Sequence, residues 1–334
     1  MKAVILHGPK NVAVGEIAVP EMKSTYVKVK VAYCGICGSD YHKVAGKKNT
    51  HPVRYPVPLG HEISGIVYEV GEDVSEFKVG DRVTVDPNWS CGCCDACKAG
   101  KPSFCHSARG VVKGMAEYVV CPMENVYHLP DGLDLRDAAL AEPIACCLRG
   151  MDQLEVKAGE SVALVGFGAI GAIMLQLLVR AGAAEIAVIE YDKNKKDSAM
   201  AMGATAFIHS EDAEAVKAYA AAHNVDRVIE CVGRASAQQT ALTVAGYGAT
   251  VVMFGVSDSA ETMPISFYEA FTKELTIKTS FINPHTTARA VRILASGMLD
   301  VNSIVYKELS MEEAAEEFMA PNLCRFGKLI VKID

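Results

Sequence analysis

The segment that most restricts the fold lies between residues 161 and 180. Ser161–Val165 is a short apolar run, Gly166-Phe167-Gly168-Ala169-Ile170-Gly171 follows at once, and Ala169–Arg180 reads as one long helix. Gly166 permits the tight turn, Gly168 lets a pyrophosphate approach the backbone, and Gly171 allows close helix–strand packing. The helix start then presents free N–H groups and the positive end of its dipole to phosphate. A ligand-free packing turn uses the same glycines, so the triplet alone decides little. Glu190 adds the missing element. It closes the next strand, Ile186–Ile189, 22 residues after Gly168, where an acid binds the adenosine ribose hydroxyls. Gly166, Gly168, Ala169, Ile170, Gly171 and Glu190 are therefore read as a dinucleotide site. A carboxylate at 190 repels a 2′-phosphate, which favours NAD over NADP.

The rest of the chain places this motif. From about residue 150, apolar strands at Val225–Ile229, Thr250–Phe254 and Leu275–Thr279 alternate with helical patterns, including a charged one over Lys193–Met202. Such alternation predicts parallel βαβ units in a doubly wound sheet. Up to about residue 130 the sequence is β-rich and loop-rich, with period-two runs at Val27–Val31 and Gly65–Val70. A helix over Thr287–Ser296 and a strand over Lys328–Ile333 close the chain, and the tail is read as returning to the first part. The 334 residues, half of them hydrophobic, supply two cores and exclude wholesale disorder. A net charge of −7 disfavours nucleic acid or an anionic membrane as partner. The apolar start Met1–Leu6 breaks off too early for a signal peptide, and Ile173–Val179 is too short to span a membrane. The expected location is the cytoplasm.

Five of the twelve cysteines, Cys91, Cys93, Cys94, Cys97 and Cys105, fall within fifteen residues. Dense cysteines in an intracellular chain point to metal rather than to disulfides. Cys91, Cys94, Cys97 and Cys105 can close a tetrahedral zinc site with no open position, a structural site. Cys93 leaves two readings, a competing ligand or a spare thiol. A zinc-ribbon nucleic-acid module would need a basic surround, and only Lys98, Lys101, Arg109 and Lys113 flank the cluster. Elsewhere stand Cys37, the pair His61-Glu62 and Glu142. A catalytic zinc takes three protein ligands from N, S and O donors and keeps one position exchangeable. By spacing alone these four remain compatible with ordinary buried or solvated residues.

The ordered motifs Gly35-Ile36-Cys37-Gly38-Ser39-Asp40, Gly60-His61-Glu62, Val79-Gly80-Asp81-Arg82-Val83, the cysteine lobe, Ala141-Glu142-Pro143 and the glycine loop span nearly the whole chain. Together they resemble the zinc-dependent medium-chain alcohol dehydrogenases. The resemblance implies an α/β protein: a GroES-like β-rich catalytic domain (1–148 and 285–334, with a zinc lobe at 88–107) plus a Rossmann domain (149–284) with its doubly wound parallel sheet. It also implies two zinc ions per chain, NAD, a small alcohol or ketone substrate, and a homodimer or homotetramer joined through Rossmann sheet edges.

Residue by residue, the resemblance makes Cys37 and His61 ligands of a catalytic zinc, with Glu62 and Glu142 sharing or exchanging the remaining protein position. Ser39 resembles the proton-relay hydroxyl and His42 its solvent-side acceptor, while Asp40 orients His61. Lys195 is expected near the adenosine ribose and Lys328 near the pyrophosphate. Val232, Val256, Ser280 and Phe281 are expected on the nicotinamide side. Glutamate rather than cysteine at 142 points to the polyol and threonine dehydrogenase branch. Two departures bear on the substrate. Ile282-Asn283 stands where sorbitol dehydrogenases carry an Arg-Tyr pair, and the segment after Cys105 lacks the family's Asp-Gly-Gly turn. Lys43, Lys47, Lys48 and Arg54 suit a phosphorylated polyol or simply form an exposed basic loop, whereas Ile282 suits a bulkier, more apolar alcohol. A recruited, non-catalytic member of the same fold is opposed by the intact Cys37, Ser39, His61, Glu62 and Glu142.

Overall fold

The strand Tyr26–Gly35 organises the first part of the computed structural model, which describes residues 1–47, 53–321 and 326–334. Val27, Val29 and Val31 are fully buried between half-buried lysines, the expected period-two pattern. A register shift between Val31 and Tyr33 then moves burial to Cys34 and Gly35, so the strand continues past the predicted alternation. It pairs antiparallel with Glu62–Val70 on one side and with Lys328–Lys332 on the other. Gly35 thereby lies opposite both Glu62 and Ile330. The seven-stranded sheet is completed by Arg82–Val85, Val126–His128, Tyr118–Pro122 and Val305–Leu309. Its apolar residues Ile63, Val67 and Val83 pack with Leu6, Met115 and Phe318 from outside the sheet in one core. The unit comprises the described residues of 1–145, 283–321 and 328–334.

The second unit comprises Cys146–Ile282 with Phe326 and Gly327. Its six strands are all parallel. They lie in the order Ala206–His209, Glu185–Glu190, Ser161–Val165, Val225–Glu230, Ala245–Met253 and Thr276–Thr279. Counted along the chain this is 3-2-1-4-5-6, the doubly wound order whose direction reverses between Ser161–Val165 and Val225–Glu230. Helix Ala169–Arg180 is buried from Gly171 to Leu178, which suits its unbroken apolar run. Two predicted elements differ in detail. The charged helix opens with a 3-10 turn at Lys193–Lys195, because the Asp192 carboxylate accepts from the Asn194 N–H, and only Lys196–Ala201 is α-helical. The strand expected from Thr250 begins at Ala245, the chain passing Gly248 at φ +74°. No helix among the described residues is long and apolar enough to cross a membrane.

Candidate active site

Cys37 precedes the short helix Gly38–Val44, whose first turn carries Ser39 and Asp40 and whose second carries His42. Asp40 is fully buried and gathers the surrounding chain. Its Oδ2 accepts from the Cys37 N–H at 3.2 Å, and its Oδ1 accepts from the Gly60 N–H at 3.3 Å and the Lys43 Nζ at 3.1 Å. The same Oδ1 faces His61 Nδ1 at 3.6 Å. Burial alone raises a carboxyl, but Lys43 and His61 outweigh it and hold Asp40 well below the usual carboxylate range. One side chain thus ties the segment bearing Cys37 to the segment bearing His61. Ser39 and His42 are both half-buried on this helix. Lys43, one of the basic residues considered for a phosphate, is paired with Asp40, and Lys48 lies outside the described residues.

The register brings the donors together. Ligand atoms of Cys37, His61 and Glu62 all lie within 4.8 Å of one another. A thiolate, an imidazole and a carboxylate at this separation form a donor set that suits zinc and leaves a position exchangeable. Glu62 Oε2 is buried with no hydrogen-bond partner among the described residues, an atom in need of a cation. Glu142 stands outside that trio, at the start of helix Ala141–Leu154, and is 7% exposed. Burial pushes its carboxyl up to about 7, with Glu62 adding to the rise and His61 and Lys328 opposing it.

Lys328 is buried in the first unit with Nζ 2.5 Å from Glu62 Oε1. A buried ammonium needs an opposite charge, and Glu62, two strands away across Gly35, supplies it.

In the lobe, Cys91, Cys94, Cys97 and Cys105 bring their sulfurs within 4.8 Å of one another. Cys105 Sγ accepts from the Cys91 and Ser107 N–H groups at 3.4 and 3.3 Å. Backbone N–H groups of Cys93 and Cys94 pull the Cys91 thiol down to about 6, favouring the thiolate a metal needs. Cys93 is exposed and stands outside the four.

In the second unit, Gly166 adopts φ +93°, and a Cβ at Gly171 would lie 2.2 Å from the Gly166 carbonyl oxygen. A Cβ at Gly168 would meet nothing within 4 Å, so the backbone there is open to a close-approaching ligand. Glu190 is 8% exposed, and its carboxylate accepts from Phe167 N at 2.6 Å, Asp192 N at 3.0 Å and Lys195 Nζ at 3.3 Å. It therefore braces the glycine loop, and the remaining lone pairs can take ribose hydroxyls. Ala169 and Ile170 open the helix that follows. Val232, Val256 and Phe281 are exposed beyond the C-terminal ends of their strands, and Ser280 sits beside Phe281.

Sequence reading missed the residues that support these sites. Glu230 Oε1 accepts from the Val232 and Gly233 N–H groups at 2.6 and 2.7 Å, shaping the loop that presents Val232. Asp86 receives Thr287 Oγ1 at 2.8 Å and Asn283 Nδ2 at 3.2 Å, while Asn88 Nδ2 donates to Asn283 Oδ1 at 2.7 Å. Asn283 is 1% exposed, so its side chain anchors the base of the lobe. No local spacing signals the Asp86 network, because Asn283 and Thr287 lie about 200 residues downstream.

Comparison with known proteins agrees with this geometry. The alcohol dehydrogenase GroES-like domain matches residues 23–131, and the zinc-binding dehydrogenase domain matches residues 169–296. A protein of Arthroderma otae named D-xylulose reductase A is 34% identical over 94% of this chain and 92% of its own. The D-arabitol-phosphate dehydrogenase of Enterococcus avium is 32% identical over 95% of this chain and 93% of its own. A Sinorhizobium meliloti protein described as a zinc-binding dehydrogenase, solved bound to NADP, superposes with a TM-score of 0.92 at 35% identity, covering 99% of this chain and 98% of that one. With matching motifs, matching fold and relatives aligned along nearly their full length, the chain belongs to the zinc-dependent medium-chain alcohol dehydrogenases, in their polyol dehydrogenase branch.

Proposed function

We propose that this protein oxidises a secondary hydroxyl of a polyol with NAD, and reduces the corresponding ketone in reverse. The observation that carries the reading is the Cys37–His61–Glu62 trio in a unit that also presents Ser39 and His42. Zinc bound at the trio supplies the Lewis acidity that lowers the alcohol's pKa, and the nicotinamide supplies the hydride acceptor. Cys37 and His61 hold the metal, and Asp40 keeps the two segments that carry them in register. Ser39 Oγ takes the proton from the substrate hydroxyl, and His42 passes it to solvent. Val232, Val256, Ser280 and Phe281 form the surface for the nicotinamide, while the glycine loop takes the pyrophosphate.

NAD is favoured over NADP here, although the Sinorhizobium meliloti relative was solved with NADP. The carboxylate of Glu190 repels a 2′-phosphate, and Lys195, the cation beside it, is paired with Glu190. Pairing of Lys43 with Asp40 also removes one cation from the loop considered for a phosphorylated substrate, which favours the unphosphorylated polyol. The edge strand Thr276–Thr279 and the exposed Phe267, Tyr268 and Phe271 support assembly into a homodimer or homotetramer through that edge. The location we infer is the cytoplasm, whose reducing conditions keep thiols such as Cys37, Cys91, Cys94, Cys97 and Cys105 available to a metal.

The test is a panel of polyols, polyol phosphates and apolar secondary alcohols with NAD and NADP, read as reduced cofactor formed. Turnover of polyols with NAD is expected, with zinc analysis giving two ions per chain. No turnover of any polyol, or one zinc ion confined to the lobe, overturns the reading. Glu190→Ser should weaken NAD by about 1.5–3 kcal/mol, the worth of charge-assisted hydrogen bonds. The NAD/NADP ratio of kcat/KM should then fall more than about tenfold, since ~1.4 kcal/mol is one decade.

A further inference from the structure

The glycine loop is held in two ways. Through its backbone, the Phe167 N–H donates to Glu190 Oε2 at 2.6 Å. Through its side chain, the fully buried Phe167 ring stacks on Phe326, with centroids 5.0 Å apart and planes inclined by 28°. That separation is within the range of a favourable aromatic pair. The same ring lies against the first turn of the helix Ala169–Arg180, since a Cβ at Gly171 would sit 3.8 Å from Phe167 Cδ2.

Phe326 comes from near the end of the chain. It and Gly327 belong to the second unit, whereas the strand that follows at once, Lys328–Lys332, belongs to the first. Gly327 makes that change of course at φ +99°, a conformation that a residue with a side chain rarely adopts. Phe326 itself stands outside strands and helices and is half-buried. Its ring contact is with the residue between the first two glycines of the loop, and no glycine motif contains such a partner.

We propose that Phe326 is a positioning residue for the cofactor: by clamping Phe167 it fixes the loop that meets the pyrophosphate. It acts through Phe167 rather than by touching the dinucleotide. A loop already fixed has little ordering left to undergo when the ligand arrives, and that ordering otherwise weakens binding. This deepens the dinucleotide reading of the glycine loop and rests on it. Without the stack, Phe167 keeps its bond to Glu190, but its ring loses one wall. The backbone from Gly166 to Gly168 then wanders, and the N–H groups at the helix start no longer converge on the phosphates.

The test measures ADP-ribose and NADH binding by the full-length, zinc-loaded protein, beside steady-state rates with the polyol it turns over fastest. ADP-ribose carries the pyrophosphate but lacks the nicotinamide. Phe326→Ala should raise both Kd values about three- to tenfold, the scale of one aromatic pair. The KM for NAD should rise by a similar factor, whereas kcat should not fall. Phe326→Leu keeps apolar bulk without the ring and should raise the Kd values at least about twofold, while Phe326→Tyr keeps wild-type affinity. In a Phe167→Leu background, Phe326→Leu should add nothing further. The Leu and Tyr variants decide the matter if Phe326→Ala does not fold. A lowered Tm with unmoved ADP-ribose affinity shows a merely structural contact and overturns the proposal. Full additivity in the double variant, or a fall in kcat with an unchanged KM for NAD, overturns it too. A wild-type protein that binds neither ADP-ribose nor NADH overturns the dinucleotide reading itself, an outcome distinct from these.

Discussion

The two metal clusters of the first unit are built in opposite ways. The lobe draws four thiols from fifteen consecutive residues and clasps them with N–H groups of the same loop. The Cys37 cluster draws a thiol from a helix start, an imidazole and a carboxylate from a neighbouring segment, and its supporting charges from Lys43 and Lys328. A closed all-sulfur site contributes folding free energy and has no position for substrate. A mixed site with charged neighbours at its border keeps one. The difference teaches that ligand count matters less than where the supporting contacts come from: the lobe carries its own, whereas the other cluster depends on the whole sheet.

The largest effects expected from this contrast separate activity from stability. Cys37→Ala should lower kcat/KM by at least about 10³-fold, since Lewis-acid stabilisation is worth several kcal/mol. It should leave one zinc per chain and a nearly unchanged Tm. Normal turnover with only the lobe zinc would break the contrast. Cys97→Ala should do the reverse, destabilising the first unit by more than about 4 kcal/mol, the range in which loss of a structural metal falls. Residual kcat/KM, measured below the new Tm, should stay near wild type. Unchanged Tm and zinc content would mean that the lobe holds no metal.

Smaller effects sharpen the comparison. Asp40→Asn keeps the volume but removes the charge shared by Lys43 and His61. Chelator extraction from the Cys37 site should accelerate about tenfold, with the lobe zinc untouched. Equal acceleration at both sites would show that Asp40 supports the whole unit rather than one cluster. Thr287→Val removes one hydrogen bond to Asp86 and leaves its partners buried, so about 1–3 kcal/mol of stability should be lost, read from denaturant midpoints. The smallest effect belongs to Cys93→Ser, which should change neither zinc content nor Tm, because Cys93 lies exposed beside the four ligands.

The sequence by itself determined what depends on the backbone over short distances. Gly166 is legible because the turn it makes requires φ +93°, and Gly171 because any side chain there would strike the Gly166 carbonyl oxygen. Alternating Val27, Val29 and Val31 announce their strand, and four cysteines in one loop announce their metal, since each signal is complete within one short segment. Tertiary structure decided which charges face each other. Lys328 and Glu62 are 266 residues apart and meet because Gly35 has no side chain between them. Thr287 reaches Asp86 across 201 residues. A buried charge must find its counter-charge wherever the fold places one. That choice is made by the packing of strands far apart in the chain, and no local pattern of residues encodes it.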